Sequence, residues 1–162
     1  MKYIFWFLSV GVLMSVLDLA QVRQAYIASP KSESDANKFA ELVKDVQKDD
    51  ANKTLVAYKG CALTLKSKHS NYLPDKISFM KEGAGFIDAA ALADPQNIEI
   101  RMIRMSVQEN VPFIVNYRDN LKDDKTVIET GYAKAPKDIK LLVRNFIKQS
   151  ESFSQDEKAR YK

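Results

Sequence analysis

The chain is poor in the residues that carry reaction chemistry. It has one cysteine, Cys61, so no disulfide can form within it and no cysteine cluster can hold a metal. Its one histidine, His69, stands in a polar stretch beside Lys68 and Ser70, where an isolated imidazole has no neighbour to make it a base or a ligand. Five glycines are scattered along the chain, and no glycine-rich phosphate loop or serine elbow is formed from them. The paired acids Asp49-Asp50 and Asp123-Asp124 fall at expected helix ends or loops, and neither has the spacing of a calcium loop. No catalytic residue, metal site or cofactor is therefore expected, and an enzyme built from carboxylates that converge from distant positions is a third alternative. Strand signals are also nearly absent, which leaves an all-α chain.

Charge of one sign is not concentrated either. Twenty-five Lys and Arg stand against 21 Asp and Glu, a net charge of +4, with both signs interspersed as on an ordinary solvated surface. There is no arginine-rich tract and no platform of aromatic and basic residues, so nucleic acid is excluded as a partner.

What is present begins with an apolar run from Tyr3 to Leu17, behind Met1-Lys2. A run of about 15 residues suits a secretory signal and is short for a membrane span. Export is expected, to the periplasm or medium, with a cut between Ala20 and Gln21; Asp18 occupies a position where a small residue is usual. An uncleaved membrane anchor over 3–17 is the alternative. The chain then divides into 1–20 as signal or anchor, 21–150 as a helical domain and 151–162 as a polar, frayed tail.

Within the domain the apolar residues recur at helical spacing. A short helix over Val22 to Ala28 ends at Ser29-Pro30. The next, capped by Ser34 or Asp35, shows Phe39, Leu42, Val43 and Val46 on one face. A third covers Lys53 to Lys66, and a fourth, capped by Asp75, covers Lys76 to Ala93. Gly83 and Gly85 lie inside that fourth helix, where they serve close helix contact or a kink. Pro95 closes it, and Asn97 caps a fifth helix that runs to Asn110. A sixth lies within Asn116 to Thr130. The seventh carries a one-sided stripe of Ile139, Leu142, Val143, Phe146 and Ile147. This gives about three antiparallel helical hairpins, stacked, with a last amphipathic helix as a cap.

Tyr58, Gly60-Cys61-Ala62 and Leu65 resemble the aromatic, small and large positions in the first helix of a tetratricopeptide repeat. Ala90 and the turn Asp94-Pro95-Gln96-Asn97 resemble the close of its second. The resemblance spans Leu55 to Asn97 and implies a scaffold that binds a protein or peptide. In that register Arg101, Arg104 and Gln108 fall where packed residues normally sit. The segment from Asn97 to Pro112, taken with the apolar start, is also similar to small uncharacterised exported proteins of Bacteroidetes-type bacteria, which implies a compartment and no activity.

The fifth helix supplies the candidate site. At 100° per residue Ile98, Met102 and Met105 gather on one side and Ile100, Ile103 and Val107 on the other, so the helix is expected to pack between two layers. Arg101, Arg104 and Gln108 form a polar strip between those sides, and paired guanidinium donors there suit a carboxylate. The strip is expected either to line a partner groove, with Tyr58, Lys59 and Lys66 of the third helix, or to be a solvated face, or to pair within the fold with Glu109 or Asp88. A closed, arginine-lined pocket for a small anion is the alternative function. Val111-Pro112-Phe113-Ile114-Val115, the most apolar run after the start, is expected to be a buried connector, with docking of a partner as the alternative. Cys61, among small residues, is expected to be a buried hydrophobe.

Overall fold

Every regular element among the described residues, Leu17–Tyr161 of the computed structural model, is a helix. The expected signal or anchor lies outside them apart from its last residues, and the expected cut after Ala20 falls in the first turn of the first helix. The helices are α1 (Leu19–Ala28), α2 (Glu33–Leu42), α3 (Lys53–His69), α4 (Leu73–Ala93), α5 (Ile98–Asn110), α6 (Leu121–Gly131), α7 (Lys137–Gln149) and α8 (Gln155–Lys158), with 3-10 turns at Phe113–Val115 and Tyr132–Lys134. No helix of the described residues is long and apolar enough to cross a membrane.

The helix α5 occupies the centre, touching α3, α4, α6 and α7. Both its apolar sides are covered: Ile100, Met102, Ile103 and Met105 are all at 0% exposure, and burial of each such side chain contributes roughly 1.5–3 kcal/mol. Its start is fixed as the sequence suggests. The backbone N–H groups of Glu99 and Ile100 donate to Asn97 Oδ1 at 3.1 and 3.2 Å, and Asn97 Nδ2 donates to Thr54 Oγ1 on α3 at 3.3 Å. The cap therefore aligns α5 with α3 as well as starting it.

The pair α3 and α4 runs in opposite directions, with Gly60 facing Gly83 and Ile87 and Thr64 facing Gly83. Absence of a side chain at Gly60 and Gly83 is what lets the two backbones meet. Gly85 faces only the end of Lys48 and makes no such contact. On the other side of α3, Tyr58 packs against Tyr26 of α1 and Phe39 of α2, ring centroids 5.3 and 6.1 Å apart, so three helices share one aromatic cluster.

Several boundaries differ from those read in the sequence. Ser32, not Ser34 or Asp35, caps α2, with Asp35 N donating to its hydroxyl. Asp75 does not cap α4; the helix begins at Leu73 with Pro74 in its first turn, where a missing N–H removes nothing. The tail is not frayed. Phe153 and Tyr161 are buried at 3% and 9% exposure, Tyr161 stacks edge-on to Tyr132 at 4.8 Å, and Lys125 donates to both carboxylate oxygens of Glu157 at 2.7 and 2.8 Å. That ammonium, with the Ser154 backbone N–H, holds the Glu157 carboxyl down to about 2.

Cys61 lies inside this packing at 4% exposure, and burial pushes its thiol up to about 12. The thiolate is the reactive form, so the folded chain is expected to resist a thiol-directed reagent at pH 8, while the chain in denaturant takes one equivalent. Rapid labelling of the native protein, followed by the absorbance of released thionitrobenzoate, would contradict this packing.

Candidate functional site

The arginine strip does not line an open groove. Asp124, on the first turn of α6, has a side chain at 0% exposure and accepts from both arginines: Arg104 Nε at 2.8 Å, Arg104 Nη2 at 2.7 Å and Arg101 Nη1 at 3.0 Å. Arg104 Nη1 also donates to Asp88 Oδ1 of α4 at 3.2 Å. Arg101 turns its remaining donors on the Pro95 carbonyl, at 3.0 and 2.8 Å, and so ties down the turn between α4 and α5. Burial alone would lower the Arg104 pKa, but Asp124 and Asp88 outweigh it and the net shift is upward. These guanidinium groups are occupied by the protein's own carboxylates.

Gln108, at 0% exposure, donates from Nε2 to Asn120 Oδ1 just before α6 at 3.2 Å. Tyr58 is buried too, and its hydroxyl donates to Glu99 Oε1 at 2.7 Å. Lys59 reaches the Lys44 carbonyl at 2.6 Å, and Lys66 lies over the Phe79 ring at 4.5 Å. The six residues therefore do not share one face. Asp88 is a partner as the sequence reading allowed; Glu109 instead accepts from the Ser150 hydroxyl and the Ser152 backbone N–H, anchoring the chain after α7.

A second buried carboxylate mirrors the first. Glu99, at 4% exposure, accepts from Arg23 Nε and Nη2 at 2.7 and 2.8 Å in a bidentate pair, with Tyr58 as a third donor. Arg23 Nη1 continues to Asp138 of α7 at 2.9 Å. Burial, then Glu99, holds the Tyr58 hydroxyl protonated far above its ordinary range. This cluster joins α1, α3, α5 and α7 as a clamp, and Arg23 and Glu99 also line a cleft at the surface, beside Asn97 and Gly131. Among the described residues no group of three or more His, Cys, Asp and Glu is placed to hold a metal. Among the described residues one cleft lies between α1 and α2 and another where Arg23, Glu99, Asn97 and Gly131 meet, and neither is lined by Arg101 or Arg104.

The arginine centre braces one feature that does face outward. After α5 the chain turns through Pro112 into the 3-10 turn Phe113–Val115, with Val115 N donating to the Pro112 carbonyl at 2.9 Å. Asn116 ends the turn in the left-handed region, φ 50°, a conformation asparagine tolerates better than most residues. Tyr117 follows, and its hydroxyl donates to Asp88 Oδ1 at 3.0 Å, the same oxygen that Arg104 engages. The expected buried connector is thus overturned: Phe113 and Ile114 are 88% and 92% exposed. Among the described residues nothing packs outside this corner, and the tight turn at the end of α5 leaves Phe113 and Ile114 exposed. The sequence signal for the bracing was the pairing of Asp124 with a helix that has no solvated side, and it could have been read. Compared with known proteins, the chain matches no family model, no curated protein and no solved structure.

Proposed function

We propose that this chain is an exported helical-repeat interaction module that docks on a protein or peptide partner through the Phe113–Ile114 tip. The observation that carries the reading is the exposure of those two side chains at 88% and 92% on a turn held by hydrogen bonds at both ends. A braced apolar projection loses little freedom on binding, so more of its burial appears as affinity. Contacts of α1 with α3, α3 with α5 and α5 with α7 support a tetratricopeptide-like stack, in which alternate helices line one layer. The arginines act in this reading as positioning residues: they hold Asp88 and Asp124, and through them Tyr117 and α6, on either side of the tip.

The test uses tagged protein and a Phe113→Ser/Ile114→Ser variant of equal helicity. A protein retained by the first and lost by the second is identified, purified and titrated against both. Binding by the variant is expected to be roughly tenfold to a hundredfold weaker, as for loss of two central apolar contacts. Equal affinity would place the contact elsewhere and overturn the proposal.

A further inference from the structure

A second outward feature lies at the corner where α3 turns into α4, and it combines apolar side chains with charge of one sign. Tyr72, Leu73 and Ile77 are exposed at 63%, 66% and 48%. Leu73 and Ile77 lie one turn apart on α4. At 100° per residue Lys76 and Lys81 flank them, about 60° to one side of Leu73 and about 80° to the other, while Asp75 and Glu82 project roughly 180–200° away. The last turn of α3 brings Lys68 to the same corner. Along α4 the apolar side of the corner is therefore flanked by lysines, and Asp75 and Glu82 are turned to the opposite side.

We propose that this corner is a peripheral docking surface for an anionic phospholipid bilayer, with Tyr72, Leu73 and Ile77 entering the interface and Lys68, Lys76 and Lys81 meeting lipid phosphates. Charge complementarity points to the occupant. A row of lysines beside aliphatic side chains matches the boundary between anionic headgroups and acyl chains, and tyrosine favours that depth because its ring is apolar and its hydroxyl wet. The corner also stands away from the start of the fold. Leu19 shares a cleft with Thr54, at the beginning of α3, and Asn97, and the helix rises about 22 Å from Thr54 to His69 at the corner. The inference does not rest on the Phe113–Ile114 reading.

The test places a polarity-sensitive fluorophore on a Leu73→Cys variant of the full chain, with Phe113→Cys labelled separately; the native thiol of Cys61 is buried. A local probe separates insertion of the corner from any vesicle attachment through residues 1–16. With vesicles of phosphatidylcholine and roughly 30 mol% phosphatidylglycerol the probe at position 73 is expected to shift to the blue, and the shift is expected to be lost in high salt. Adding Lys76→Glu and Lys81→Glu, with unchanged circular dichroism, is expected to weaken binding on the order of tenfold or more. No shift on anionic vesicles overturns the proposal. An equal shift on phosphatidylcholine alone, or one untouched by the glutamates, overturns the charge-matched surface. A shift that grows with protein concentration in the absence of vesicles assigns the corner to a second copy and overturns it as well. A shift at position 113 alone would put the bilayer on the other tip, against both readings.

Discussion

Replacing Asp124 by alanine is expected to lower the unfolding free energy by about 3–5 kcal/mol, the range for removing one partner of a buried ionic cluster. In a chain of this length that is a fall in midpoint temperature on the order of 10 °C. The reason is asymmetry. Asp124 accepts three charge-assisted bonds at 2.7–3.0 Å and is wholly buried; without it Arg104, whose side chain is 8% exposed, keeps only the 3.2 Å bond to the half-exposed Asp88. A buried guanidinium cannot escape by losing its proton. Urea or thermal unfolding measures the loss. A change within about 1 kcal/mol would mean the arginines find water or Asp88 at no penalty, and the centre would not be the brace argued here. A triple variant, Arg101→Met/Arg104→Met/Asp124→Leu, separates charge from packing, because an apolar replacement of a whole buried cluster is often neutral or better. That variant is expected to regain most of the stability. Hydrogen exchange over residues 111–117 should rise in Asp124→Ala, since Asp88 then carries both Arg104 and Tyr117 without the second carboxylate.

Much of the fold was legible, and the part that was not fails for a physical reason. The two opposed apolar sides of α5, the Asn97 cap and the stripe of α7 are local patterns, and each stands where the spacing puts it. The partners of the arginines are not local: Asp124 lies 20 residues beyond Arg104, and Asp88 lies 16 before it. Yet α5 contained the correction. A helix covered on both sides has little solvated edge left, so a polar strip between the two must be answered from inside the protein. The same register that placed Arg101, Arg104 and Gln108 at packed positions of a tetratricopeptide repeat pointed that way. The Phe113 turn and the tail misled in opposite directions. Apolar Val111–Val115 looks buried by composition, but Pro112 and Asn116 fix a turn at a corner that leaves Phe113 and Ile114 exposed. Polar Glu151–Lys162 looks loose, but Phe153 and Tyr161 anchor it, and average polarity conceals two well-placed aromatic side chains.

The glycines of α4 are expected to respond with opposite signs although they are two residues apart. At Gly60 on α3, a Cβ would stand 2.5 Å from the Gly83 carbonyl oxygen and 2.9 Å from the Ile87 backbone nitrogen. At Gly83 it would stand 2.6 Å from the Gly60 carbonyl oxygen and 3.0 Å from the Thr64 nitrogen. These are backbone atoms, so no rotamer relieves the overlap and the two helices must separate. Overpacking of this kind costs about 1–3 kcal/mol, more than the roughly 1 kcal/mol that alanine returns in helix propensity. Gly60→Ala and Gly83→Ala are therefore both destabilising, and Gly83→Val more so. At Gly85 the new methyl meets only the tip of Lys48, with Nζ at 3.1 Å. A flexible ammonium swings aside, propensity decides, and Gly85→Ala is expected to stabilise by about 0.5–1 kcal/mol. Chemical unfolding of the three alanine variants reads all of this on one scale. If Gly83→Ala proves as stable as Gly85→Ala, the close crossing of α3 and α4 is not where the structure puts it. The separation forced by a bulky side chain at Gly83 would also propagate along α4 to Asp88, one turn and a half further on, so the cost should exceed the local clash wherever the arginine centre is intact.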